Sequence, residues 1–254
     1  MDALELIALA TWCFAVALAG GLAGLVLGNI RLPVVLLAAS SAAAGAGANL
    51  GISGVAALTA GATHIRAGRI NWRLFAWMAP PSMAGAVAGG LVSGALPEEG
   101  LLAVIGAALL WFGVDLLRSR RERSPGRGED TRPGGVDVRA AVVTGALIGV
   151  LGGLVGLILG SLRLPALLRY VGEEATRAVG TNLAVGVCVG AAGVAGHLPG
   201  GVDWAVLGVG AAASIPGALI GARLTGRLSE PQLLRAIGAV LVCAGIATLA
   251  QAVA

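Results

Sequence analysis

Residues 20–33 read GGLAGLVLGNIRLP, and residues 152–165 read GGLVGLILGSLRLP. Ten of these fourteen positions are identical at a shift of 132. The match extends outward on both sides. Ala48-Asn49-Leu50 answers Thr181-Asn182-Leu183, His64 answers His197, and Ile70-Asn71-Trp72 answers Val202-Asp203-Trp204. Gly85, Gly89, Gly94, Leu96, Glu98 and Gly106 answer Gly217, Gly221, Gly226, Leu228, Glu230 and Gly238. A chain rich in Gly and Leu gives chance matches of those residues. It does not give a collinear series over about 100 residues that includes Arg, Pro, Asn, His and Trp. The chain is therefore read as a first transmembrane repeat over 1–118, an Arg/Gly-rich linker over 119–138 and a second transmembrane repeat over 139–254.

The rest of the composition fits a lipid environment. Of 254 residues, 57% are hydrophobic and 12% charged, and the mean hydropathy is +0.91. A soluble domain carries about 25% charged residues, enough to cover one core with polar surface. A soluble enzyme, a disordered chain and a nucleic-acid-binding module are all poor fits. The predicted helices are 4–28, 46–65, 72–95 and 100–117 in the first half and 140–160, 176–197, 204–226 and 231–252 in the second. Each is long enough for a bilayer core of about 30 Å. Short apolar pieces follow the repeated turn at 33–44 and 165–171. They are too short to cross at 1.5 Å per residue. The fold expected is all-α, a polytopic membrane protein of two inverted-topology repeats, with broken or half-helices at the two G-x-x-R-L-P turns.

Charge placement carries the inversion. All 17 basic residues are Arg. Those at 66–73, in the linker and at 223–235 mark cytoplasmic regions by the positive-inside rule. The loop at 96–100 has no basic residue and is expected outside. The loop at 197–203 also has none, whereas its counterpart at 64–71 has Arg66 and Arg69. The same element of the repeat would then face opposite sides in the two halves. The acidic start, Met1-Asp2-Ala3-Leu4-Glu5, lacks a signal peptide's basic region, so the first helix is expected to be retained.

The repeated turn suggests chemistry. Gly28 and Gly160 can end a helix in a left-handed conformation, and Pro33 and Pro165 suit the first turn of a following half-helix. Arg31 and Arg163, just before those prolines, offer a planar fork to an oxyanion inside the membrane. The alternatives are a structural clamp on backbone carbonyls or a side chain snorkelling to headgroups. Asn49, Thr181 and Asn182 are placed at the starts of the next helices, as caps or as polar groups orienting a substrate. Asn29 and Ser161 lie inside the turns. His64 and His197 sit at helix ends, as interfacial residues or gating groups.

Several chemistries have no sequence support. No acid falls at the centre of a long apolar run, so no carboxylate proton relay or sodium site is visible. No metal-ligand spacing and no P-loop are found, and no cofactor is expected. Cys13, Cys188 and Cys243 read as buried small hydrophobes. One enzyme reading stands against transport. Gly51-Ile52-Ser53-Gly54 matches the G-x-S-G of rhomboid-type intramembrane serine proteases, with His197 as the base. Against it, Gly186 replaces Ser53 in the second repeat, and the repeat already explains His197 through His64.

The run G-L-x-G-x-x-L-G-x-x-R-L-P, with A-V-G-T-N-L at 178–183, G-H-L-P-G-G-V-D-W at 196–204 and I-P-G-A-L-I-G-A-R-L at 215–224, resembles the sulfite exporter TauE/SafE family. The resemblance spans both halves and fits a subgroup with Arg in the turn, where many members have a run of Gly. It implies a multi-pass transporter of the cell membrane, moving sulfite, sulfonates or related sulfur anions, and not an enzyme. The expected mechanism is alternating access around a midplane site. There Arg31 and Arg163 supply charge and Asn29, Asn49, Ser161, Thr181 and Asn182 supply orientation; a channel-like anion pathway is the alternative. The partners expected are a small anionic substrate and membrane lipid, and no nucleic acid. A homo-oligomer is left open.

Overall fold

The computed structural model describes residues 3–92, 98–118, 138–168, 173–225 and 227–253. Residues 119–137 of the linker, and residues 96–97 of the loop expected outside, lie outside the described residues. Ten α-helices run through the described chain: α1 (Ala3–Ala23), α2 (Gly28–Ala38), α3 (Ala42–Arg66), α4 (Trp72–Leu91), α5 (Glu98–Arg118), α6 (Val138–Val155), α7 (Gly160–Ala166), α8 (Ala175–His197), α9 (Trp204–Thr225) and α10 (Glu230–Ala252). No strand occurs among the described residues. Five helices are long and apolar enough to cross a membrane: α1, α3, α8 with the turn after it, α9 and α10. Across the helices, Leu4, Ile7, Leu37, Trp72, Trp111, Trp204 and Ile246 are all more than half exposed. So much apolar surface is costly in water, and it suits lipid contact.

The long helices pack in pairs that answer one another across the repeat. α1 lies on α9, and α6 lies on α4. Gly217 faces Phe14 and Leu18, and Gly221 faces Leu18 and Leu22, so α1 and α9 run in the same direction. Gly85 faces Ala146 and Val150, and Gly89 faces Val150 and Leu154, so α4 and α6 also run in the same direction. A Cβ on Gly89 would stand 2.3 Å from the Val150 carbonyl oxygen, and one on Gly221 would stand 2.3 Å from that of Leu18. These contacts explain the Gly-rich helices. In lipid, association depends on close packing rather than on water release, and small residues let backbones touch.

At the centre, α3 crosses α8 backbone to backbone, with Gly54 on Gly190. Gly47 meets His197, Gly193 meets Leu50, and Gly61 meets Leu183, so this pair runs in opposite directions. α3 also packs on α9 and α8 on α4, with Gly51 on Leu207 and Gly90 on Gly196. α5 and α10 form a further pair.

The repeated turn is a buried break in the chain, but its helix ends differ from those expected. The first helix stops at Ala23, not at Gly28. Gly24 adopts φ 66°, and Leu25 N donates to Gly20 O at 2.8 Å. Gly156 adopts φ 72°, and Leu157 N donates to Gly152 O at 2.7 Å. This is a Schellman stop, which needs a left-handed residue just past the helix. Gly24 and Gly156 supply it, four residues before Gly28 and Gly160. Residues 25–27 and 157–159 then run non-helical and buried. Gly28 and Gly160 begin the short helices instead of ending the long ones.

Pro33 and Pro165 therefore sit at the sixth helical position rather than in the first turn. A proline there leaves the carbonyl four residues back without its helical donor. In α2 that carbonyl is Asn29 O, and Gln251 Nε2 of α10 donates to it at 3.1 Å. A long-range bond thus satisfies the carbonyl that Pro33 leaves open.

Candidate functional site

Each guanidinium lies just inside a buried break. Arg31 is 1% exposed and Arg163 is fully buried, so neither snorkels to the headgroups. Burying a permanent charge demands partners. For Arg31 they come from α3. Its Nε donates to Asn49 Oδ1 at 3.0 Å, and its Nη2 donates to Asn49 O at 3.2 Å and to Ser53 Oγ. For Arg163 the partner comes from α8, where Nη1 makes a long 3.5 Å contact with Asn182 Oδ1. Its Nε and Nη2 have no hydrogen-bond partner among the described residues.

The two asparagines tie the halves together. Asn49 Nδ2 donates to Gly28 O of its own half at 3.2 Å and to Gly156 O of the other at 3.1 Å. Asn182 Nδ2 donates to Gly24 O at 3.0 Å, again across the repeat. Each asparagine thus bonds the left-handed glycine of the opposite break. Gly28 presses close to this cluster: a Cβ there would stand 3.0 Å from Ser53 Oγ and 3.2 Å from Asn49 Nδ2.

Asn49, Thr181 and Asn182 do not begin helices. They are buried within α3 and α8, whose N-caps are Ser41 and Glu174. The helices start earlier because Ser41 Oγ accepts from Ala44 N at 3.2 Å, and the small residues that follow continue the turn inward. Thr181 Oγ1 accepts from Asn71 N at 3.0 Å, which docks the start of α4 on α8. Asn29 points to α10, donating to Thr248 Oγ1 at 2.8 Å and to Ala244 O at 3.3 Å. Ser161 is buried inside α7. The cluster about each guanidinium therefore gathers Arg31, Asn49 and Ser53 in one half, and Arg163 and Asn182 in the other. Ser53 was missed as a partner of Arg31. It lies 22 residues away, and only the return of the chain through the break brings the two together.

His64 and His197 close α3 and α8 as expected, but both are buried in protein instead of facing headgroups. His197 Nδ1 pairs with Gly193 O at 3.0 Å, while both ring nitrogens of His64 lack a hydrogen-bond partner among the described residues. A cavity of about 10 Å³, the room of one water, lies between Arg31 and apolar walls that include Val16, Gly20, Leu27, Ala57 and Leu183. No group of three or more His, Cys, Asp or Glu suited to a metal occurs among the described residues. Every buried charged side chain described is an arginine; none is an acid.

Apolar helices with lipid-suited faces, a break buried in each half and guanidinium groups held inside define a helical, polytopic membrane protein. The chain belongs to the sulfite exporter TauE/SafE family: the family model described as Sulfite exporter TauE/SafE matches residues 9–248. That family consists of transporters, so this is a membrane transporter and not an enzyme. The protease reading falls with it, since Ser53 Oγ accepts from Arg31 rather than facing a histidine base. Comparison with curated proteins and with solved structures found no match.

Proposed function

We propose that the chain is a secondary carrier that moves a small anion across the cell membrane by alternating access, and that the anion is a sulfur oxyanion or organosulfonate such as sulfite. One observation carries the reading. Two fully charged groups, Arg31 and Arg163, lie buried beside the breaks with only neutral oxygens as partners, and no acid is buried among the described residues. Uncompensated positive charge in a membrane interior is costly, and its natural relief is a transient counter-anion. A guanidinium fork matches the oxygens of sulfite or a sulfonate head.

The carrier geometry has its own support. Taken in turn, the helix contacts make α1, α9 and α3 run one way and α8, α4 and α6 run the other. Equivalent helices α1 and α6, α3 and α8, and α4 and α9 would then cross in opposite senses, which is an inverted repeat. Inverted repeats let one half rock against the other around a fixed site. The faces that would slide are the glycine contacts of α1 on α9 and α4 on α6.

Purified protein in liposomes, loaded with unlabelled sulfite and given radiolabelled sulfite outside, tests the reading. The expected result is saturable uptake, accelerated by sulfite inside. Flux that rises without saturation and ignores internal sulfite means an anion channel. No protein-dependent movement of sulfite, thiosulfate or a sulfonate would reject the reading.

A further inference from the structure

The two guanidinium groups are not equivalent, and the difference lies in their side edges. The side-on edge formed by Nε and Nη2 is one of the two that take an oxyanion with two parallel bonds. On Arg31 that edge is full. Asn49 Oδ1, Asn49 O and Ser53 Oγ lie against Nε and Nη2. On Arg163, fully buried, the same two nitrogens lack a hydrogen-bond partner among the described residues, while Nη1 alone reaches Asn182. The repeat explains why. Asn49 is matched by Asn182, but Ser53 is matched by Gly186, which has no oxygen to offer.

We infer that Arg163 is the substrate-binding arginine and Arg31 its structural counterpart: an XO₃-type anion, sulfite or a sulfonate head, docks on the Nε–Nη2 edge of Arg163. The oxygens on Arg31 serve as a built-in template. Three protein oxygens crowd that edge, as three oxygens of one anion would crowd the other. Gly186 offers the second edge no hydroxyl, so its two nitrogens stay without a protein partner among the described residues. The small cavity beside Arg31 does not change this assignment. It has room for one water, and the Nε–Nη2 edge of Arg31 is already taken.

The inference rests on the anion-carrier reading, and one set of variants separates the two. The full chain, purified in detergent, is titrated with sodium sulfite while its unfolding temperature is followed. Wild type is expected to gain stability with sulfite, as any ligand of the native state produces. Arg163→Gln is expected to weaken that response at least tenfold. Gly186→Ser is expected to do the same, measured against its own unliganded unfolding temperature, because the new hydroxyl can partner the edge of Arg163 as Ser53 partners that of Arg31. A Cβ at Gly186 meets only side-chain atoms, the nearest Val26 Cγ2 at 3.3 Å. Arg31→Gln is expected to lower unliganded stability and keep the sulfite response.

Wild-type affinity in Arg163→Gln or Gly186→Ser would overturn the inference. So would loss of the response in a folded Arg31→Gln, although an anion site would remain. If wild type responds to neither sulfite, thiosulfate nor a sulfonate, the carrier reading falls as well. Should Arg163→Gln fail to fold, Gly186→Ser carries the test alone.

Discussion

Asn49 and Asn182 hold equivalent positions but carry unequal loads. Asn49 accepts from Arg31 and donates to two buried carbonyls, Gly28 O and Gly156 O. Asn182 donates to Gly24 O and makes only the long contact with Arg163. A buried polar group left without a partner costs about 1–3 kcal/mol. Asn49→Ala frees three such groups and is expected to destabilise by roughly 3 kcal/mol or more, whereas Asn182→Ala is expected to cost about 1–3 kcal/mol. Unfolding of the two variants in the same detergent measures the difference. Equal losses would mean that the second half is clamped as firmly as the first. At this scale the sequence was partly legible. A charged residue repeated in an apolar setting pointed to Arg31 and Arg163 directly. Their partners were not legible, because each bond spans 18 or more residues and depends on where the break returns the chain.

The elements show how the breaks are held and where sequence reasoning slipped. The stretch 20–33 contains several glycines, and any of them could stop a helix. The one that does, Gly24, is followed by Leu25, whose N–H reaches back to Gly20; its repeat Gly156 is followed by Leu157 in the same way. Glycine followed by an apolar residue is the mark of a Schellman stop. It was present in both copies but was outweighed by the more conspicuous Gly-x-x-Arg-Leu-Pro. The starts of α4 and α9 are a clearer case. Asn71 and Asp203, equivalent in the repeat, both cap the next helix through Oδ1, to Leu74 N and Val206 N at 3.1 Å each.

Asp203 Oδ2 also accepts from Ser40 N at 3.1 Å, tying α9 to the connection between α2 and α3. The backbone N–H of Val206, with that of Ser40, holds the Asp203 carboxyl below its ordinary range. A carboxyl more acidic in the folded state stabilises above its unfolded pKa, and the effect is lost as pH falls through the folded value. Asp203→Ala is therefore expected to unfold at a lower temperature than wild type near neutral pH. The gap should close below about pH 4, where the unfolded carboxyl is protonated. Parallel melting curves over that range check it, and a gap independent of pH would deny the ionised cap any role.

For the whole molecule, the repeat in the sequence already implied two halves, and the Arg-poor loop at 197–203 against the Arg-bearing 64–71 implied that they face opposite ways. The proposal of an inverted repeat also draws on the packing. α1 with α9 and α4 with α6 pair one half with the other, and α3 crosses α8 head to tail. Loop charge and helix contact do not depend on each other. Trp72 and Trp204, equivalent and both exposed at the starts of α4 and α9, would on that proposal anchor at opposite lipid–water boundaries. The direct measurement is the side from which each start can be reached. In a chain with Cys13, Cys188 and Cys243 replaced by Ala, a single cysteine is placed at Gly68 or at Gly200, in the turns before those helices. Each variant is labelled with a membrane-impermeant thiol reagent in right-side-out and in inside-out vesicles. The inverted arrangement predicts that Gly68→Cys reacts only from the cytoplasmic side and Gly200→Cys only from the outer side; labelling of both from one side would contradict it.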